Sequence, residues 1–400
     1  MPVRPLSADA RPPDGGLAAA PGLPEVAREW GRIGVVGFGG PPAHIALLRT
    51  LCVDRRRWID ARHFEDAIAA TNLLPGPAST QLAIYCAWRL RGTAGALVGG
   101  LCFILPGLVM IIALAALFLS GSPPDWVRGA GAGAGAAVAA VAVEAGMRLA
   151  LPAWRRARGA HRRRALAYAV AGGAAAATLG PWLVLVLLAC GLIEMAWRRG
   201  AFRAAAAALS PAALLLAAGA GTGGLGALAW TAFKVGALSY GGGFVIIPLM
   251  QADAVDRFGW MTDGQFLNAV ALGQVTPGPV THTVAVVGYA AAGVGGALFA
   301  ALIAFAPSFS FVLLGADRFD RLLANADVRA FLDGAGPAAI GAILGSAIPL
   351  ALAIGEAWQV AVLAGAALAL FVARRGVVST LLAAGAVGAV LALAGAPLPG

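Results

Sequence analysis

Two Pro-Gly-Pro tripeptides, 202 residues apart, constrain this chain more than any other feature: Pro75-Gly76-Pro77 and Pro277-Gly278-Pro279. Each lies in the middle of an otherwise apolar, helix-compatible run, Asn72–Gln81 and Gln274–Thr283. Proline removes a backbone donor, collides with the preceding turn and steers the residue before it away from helix. Each run is therefore expected to break into two half-helices, with a fresh helix N-terminus just after the second proline. Small hydroxyl residues stand there, Ser79 and Thr80 in one run, Thr281 and Thr283 in the other. Unpaired N–H groups and the positive end of the helix dipole favour anions at such a place. In a bilayer, broken backbone survives only where protein buries it or where it lines a cavity. The two breaks are expected to face each other across a solute site.

The bilayer enters through composition. Of 400 residues, 60% are hydrophobic and 12% charged, and the mean hydropathy is +0.82. Soluble proteins average about 25% charged residues, and many apolar stretches here run near the roughly 20 residues that cross a bilayer. The expected class is an all-α polytopic membrane protein. The net charge of +10 points to no nucleic acid: all but one of the 29 basic residues are arginine, gathered in connections such as Arg155–Arg164. Cytoplasmic loops of membrane proteins carry such residues, and no binding motif with interleaved aromatics accompanies them. Cys52, Cys86, Cys102 and Cys190 form no CxxC and sit in apolar surroundings, as buried free thiols do. HExxH, GxSxG and Cys/His metal spacings are absent. Gly131–Gly135 is no phosphate loop, lacking a preceding strand and a GKS or GKT. Nothing in the chain suggests an enzyme, and no metal or cofactor is expected.

Sliding the chain by 202 positions reveals a duplication. Gly34 falls on Gly236, Gly39-Gly40 on Gly241-Gly242, Trp58 on Trp260, Phe64 on Phe266 and Pro75 on Pro277; one residue is then lost and Pro106 meets Pro307. The reading divides the chain into a disordered tail (1–23), a first repeat (24–203), a linker or extra crossing (204–224) and a second repeat (225–400). Loop charges swap between the copies. Arg89, Arg91, Arg155–Arg164, Arg198 and Arg199 fill connections whose second-copy equivalents lack basic residues, while Arg318, Arg321, Arg329, Arg374 and Arg375 fill the formerly neutral ones. By the positive-inside rule the repeats insert upside down relative to each other. Five crossings per copy plus a re-entrant Pro-Gly-Pro hairpin satisfy that inversion, a design of secondary transporters.

Several residues are candidates for the solute. Arg32 and Lys234, the sole lysine, share a repeat position just before the glycine-rich breaks. Together they would neutralise a dianion, or each would reach to the headgroups from a helix end. Gly39, Gly40, Gly241 and Gly242 let backbone unwind or approach a solute, or simply let helices pack closely. His44 and His282 lie beside the breaks and would donate to an oxyanion or hold the structure by hydrogen bonds. Asn72 and Gln274 stand three residues before the prolines, with amides suited to lining a cavity. Glu144, among small and apolar neighbours, is the candidate for proton coupling, unless it pairs with Arg148 one turn on.

Phe38–His44, Leu74–Leu82 and Gly99–Gly107 resemble the signature segments of the chromate ion transporter family. Tyr240–Phe244 and Thr276–Pro279 are similar to the versions in the second domain of its long members. The resemblance covers both repeats. It implies a bacterial inner-membrane protein that exports chromate and confers chromate resistance, with coupling to protons or to exchange for another oxyanion. On that reading the binding groups are the Pro-Gly-Pro residues, Ser79, Thr80, Gln81, Tyr240, Thr276, Thr281 and Thr283 with the groups named above. Sulfate has nearly the same shape and charge, so a sulfate transporter or a passive anion channel remains an alternative. A homodimer is compatible with the sequence, which leaves the oligomeric state open.

Overall fold

The computed structural model describes residues 18–73, 76–119, 121–156, 159–179, 182–199, 224–239, 245–315 and 325–399. Pro75, Tyr240, Gly241, Gly242 and the 204–220 segment lie outside the described residues, as does the side chain of Asn72. Among the described residues all regular structure is helical, and no strand occurs.

In the first repeat, α1 (Leu23–Val36) starts with Pro24 in its opening turn, where a missing N–H costs nothing. Helix α2 (Pro41–Arg49) runs into a π-helical turn, Thr50–Arg55, and α3 spans Ala61–Leu73. Asp60 caps α3, and the His63 and Arg62 amides beside it hold its carboxyl below the usual carboxylate range. Then come α4 (Ala78–Phe118), α5 (Asp125–Ala136), α6 (Val138–Arg156), α7 (Gly159–Thr178) and α8 (Leu183–Arg199). The second repeat follows the same plan. Helix α9 (Leu225–Leu238) precedes α10 (Ile246–Gln251) with its π-helical turn Ala252–Arg257, then α11 (Asp263–Val275) and α12 (Thr283–Gly315). Helices α13 (Ala326–Leu352), α14 (Ala357–Ala367) and α15 (Val377–Leu393) complete it.

A straight 41-residue helix α4 would run about 60 Å, twice the hydrocarbon thickness of a bilayer. It does not run straight. Arg91-Gly92 and the matching Ala292-Gly293 in α12 leave helical geometry, with φ of 58° at Gly92 and 61° at Gly293. The chain folds back on itself at both points. A β-carbon at Gly95 would sit 2.2 Å from the Ala87 carbonyl oxygen, and one at Gly288 2.4 Å from that of Gly296. The half-helix after each Pro-Gly-Pro thus forms one arm of a helical hairpin, and the next apolar stretch the other.

Among the described residues, four helical stretches are long and apolar enough to cross a membrane: Ala78–Phe118, Asp125–Arg155, Val280–Gly315 and Ala326–Leu352. The protein is a multi-pass, all-α membrane protein. Helix α1 lies against the outer arm of α4 and α9 against that of α12, while α4 and α12 pack on each other. Beyond these hairpins the repeats interleave rather than stand side by side. Helix α8 of the first packs on α13 of the second, and α15 of the second packs on α5 of the first. Small residues allow this: β-carbons at Gly133 and Gly388 would collide with the facing backbone. Arg198 reaches Asp333 across the α8–α13 seam at 2.6 Å, and Arg199 reaches Asp327. Beneath them, buried Glu194 accepts from Arg164 at 2.8 and 3.0 Å, from Arg198 at 3.0 Å and from Tyr168 at 3.2 Å.

Candidate functional site

Both Pro-Gly-Pro runs are broken as proline chemistry requires. Helix α3 stops at Leu73 and α4 begins at Ala78, while α11 stops at Val275 and α12 follows a short 3-10 turn, Val280–His282. Gly76 and Gly278 take φ of 117° and 92°, which side-chain-bearing residues rarely adopt. The earlier break in the first repeat is equally plain. Helix α1 ends at Val36, Gly39 and Gly40 take φ of 98° and 72°, and Pro41 starts α2.

Each Pro-Gly-Pro lies against the opposite repeat. The Gly278 amide donates to the Gly37 carbonyl at 2.9 Å, and a β-carbon at Gly76 would sit 3.4 Å from the Gly236 carbonyl oxygen of α9. Gly37 also receives Nε2 of His44 at 2.9 Å, and Nδ1 of that ring lies 3.1 Å from Ser79 Oγ. A carbonyl only accepts, so Nε2 carries the hydrogen and, in the neutral ring, Nδ1 accepts from the Ser79 hydroxyl. This chain of bonds joins the first repeat's two breaks to the second repeat's Pro-Gly-Pro. His44 packs edge-on against Phe103 and His282 against Phe305, at 5.1 and 5.3 Å between ring centroids. His282 also lies over Gly107 and Gly278, where β-carbons would come within 2.8 and 2.9 Å of its Cε1.

The polar candidates divide by what they already bond. Ser79, Thr80, Gln81, Gln274, Thr276, Thr281, His282 and Thr283 are all buried. The Gln81 amide folds over Gly76, Thr276 donates to the Leu272 carbonyl at 2.9 Å and Thr283 to that of Val280 at 2.8 Å. Thr80 Oγ1, Gln274 Nε2 and Thr281 Oγ1 meet no hydrogen-bond partner among the described residues, while the His282 ring faces the Ile104 and Pro277 carbonyls. A buried donor left unmet costs about 1–3 kcal/mol. Ser239 and Ser308 hydroxyls share this condition. Neither was singled out in the sequence.

The two matched cations sit in different places. Arg32 is exposed on α1, so the expected pair of facing charges does not form; the face it shares with Val35 and Val36 points outward. Lys234 is buried, and its Nζ lies 2.5 Å from Oδ2 of Asp253, a fully buried carboxylate on the π-helical turn. Sequence reading missed Asp253; the signal was a lone acid in the apolar run Val245–Val255. Glu144 pairs with Arg148 one turn on, the alternative to a lone intramembrane carboxylate. Among the described residues no group of three or more His, Cys, Asp or Glu side chains is placed to hold a metal. A cavity of about 280 Å³ opens between α5, α11 and α14, lined by Arg128, Gln265, Asn268 and Gln359 among others.

The family model described as chromate transporter matches residues 24–195 and again 226–393. The chain belongs to the chromate transporter family. It is 31% identical to a chromate transport protein of Cupriavidus metallidurans over 80% of both chains. A chromate transport protein of Pseudomonas aeruginosa is 32% identical over 83% of this chain and 82% of its own. An uncharacterized transporter of Methanocaldococcus jannaschii is 25% identical over 74% of this chain and 76% of its own. No solved structure matches.

Proposed function

We propose that the protein is a secondary active transporter that exports chromate across the bacterial inner membrane and thereby confers resistance to it. One observation carries this reading beyond the family likeness. Buried donors without a partner among the described residues, on Thr80, Gln274 and Thr281, gather at two helix breaks that each lie against the opposite repeat. Chromate is a tetrahedral dianion whose oxygens only accept hydrogen bonds. Such a ligand answers unmet hydroxyl and amide donors, and helix N-termini just past Pro77 and Pro279 favour its charge. Ser79 and His44 hold the first break in register for it, and Lys234 supplies charge from α9. Alternating access follows from two oppositely inserted repeats around one site. The interleaving of α8 with α13 and of α15 with α5 divides the moving parts differently from the repeats. The hairpin helices α4 and α12 with α1 and α9 form one body, and α5–α8 with α13–α15 the other.

Counterflow in proteoliposomes tests the reading. Purified protein should exchange labelled chromate for internal chromate with saturation, faster under a pH gradient, and sulfate added to the same assay should compete. Flux that is unsaturable and indifferent to the gradient or to the internal anion would establish a channel instead.

A further inference from the structure

The groups around the breaks (Ser79, Thr80, Gln274, Thr281 and the two imidazoles) bear no fixed charge, yet a dianion buried in low dielectric needs counter-charge. Among the described residues the one buried lysine or arginine is Lys234, 4% exposed. Asp253 engages it: Oδ2 takes Nζ at 2.5 Å and the Thr231 hydroxyl at 2.8 Å. Its other oxygen, Oδ1, is buried and meets no partner among the described residues.

Comparison of the repeats gives the pair its meaning. Glu29 stands where Thr231 does, and it reaches Arg56, just past the first π-helical turn, at 3.1 Å. Each repeat therefore ties its first helix, α1 or α9, to its π-helical turn or the residue just past it with an ion pair, and the polarity is reversed between them. Arg56 has 37% of its side chain exposed, so water screens that pair. The Lys234–Asp253 pair, its side chains 5% and 0% exposed, has no such screening.

We propose that Asp253 is the proton-accepting group that links oxyanion binding to protons. A proton from the aqueous side to which the site is open forms an O–H bond at Oδ1. The carboxyl is then neutral, and the Lys234 ammonium is left as counter-charge to the dianion at the breaks. Release of anion and proton restores the ion pair. This rests on the oxyanion reading above. The other charged or titratable groups nearby are exposed Asp256 and Arg257 on the same turn, exposed Asp263 on α11, and His44 and His282 at the breaks.

The test is proton uptake when chromate is added to the purified full-length protein in lightly buffered detergent at alkaline pH. Chromate is then wholly the dianion, so any proton taken up goes to the protein. The wild type should take up close to one proton per anion bound, by linkage. Asp253→Asn should take up none and bind with an affinity independent of pH. Uptake unchanged in that variant, or abolished by His282→Asn while Asp253→Asn keeps it, overturns the proposal. Should Asp253→Asn misfold with Lys234 left unpaired, the double variant Lys234→Gln/Asp253→Asn removes both charges. It should bind at least about tenfold more weakly, without uptake; wild-type affinity would overturn the proposal. A wild type that binds neither chromate nor sulfate overturns the oxyanion reading itself, whereas binding without uptake overturns only the role of Asp253.

Discussion

A buried hydroxyl that meets no acceptor works against the fold, and Thr80 and Thr281 each present one, among the described residues, at a Pro-Gly-Pro break. Valine keeps the shape of threonine and deletes the donor. Thr80→Val and Thr281→Val should therefore melt no lower than the wild type, because an unmet donor is removed rather than a bond. Chromate affinity should fall about tenfold or more in each, the loss of a hydrogen bond to a charged acceptor being about 1.5–3 kcal/mol. Thermal melts and equilibrium binding on the same samples check both halves, and unchanged affinity would remove that hydroxyl from the site. These residues were legible in the sequence because proline dictates where a helix restarts. Asp253 was not. It follows Lys234 by 19 positions, on a π-helical turn whose register no 3.6-residue pattern announces. Its repeat equivalent is Leu51, so matching the copies position by position hid a charge that only one of them has. Arg32 shows the converse, being exposed where Lys234 is buried, since an equal position in the repeat does not guarantee an equal environment.

At the scale of elements, each break is a property of its prolines and of the glycine between them. Alanine at Pro77 or Pro279 restores a backbone donor and lifts the clash with the preceding turn, which costs about 3 kcal/mol or more within a helix. Pro77→Ala and Pro279→Ala should draw α3 toward α4 and α11 toward α12 as continuous helices. Transport should then fall about tenfold or more with expression intact, since small misplacements of ligand groups are costly. Vesicle uptake alongside quantified membrane protein measures this; full activity in both variants would mean that contacts such as Gly278 to Gly37 hold the breaks without the prolines. The sequence placed a re-entrant hairpin at Pro-Gly-Pro itself; the fold-back that the structure shows comes later, at Gly92 and Gly293. The π-helical turns were not foreseen, because Thr50–Arg55 and Ala252–Arg257 look like ordinary helical sequence.

Across the whole molecule, duplication was legible because matched residues hold one register through Pro75 and Pro277. How the copies embrace was not. The stripes of glycine and alanine on α5, α7 and α13 announce close packing, but no local pattern names the partner, and the structure pairs α8 with α13 and α15 with α5. Interleaving has a consequence for assembly. Each repeat alone would expose the small-residue seam that the other repeat covers, and would leave Asp333 and Asp327 apart from Arg198 and Arg199. Cutting the chain between residues 199 and 225 and expressing the two pieces together should therefore yield a complex that copurifies and transports chromate. Either piece alone should be recovered mainly as aggregate. Monodisperse, melting-competent single halves would show that the repeats fold as separate bodies, and a motion of one repeat against the other would then replace the division into hairpin body and surrounding helices.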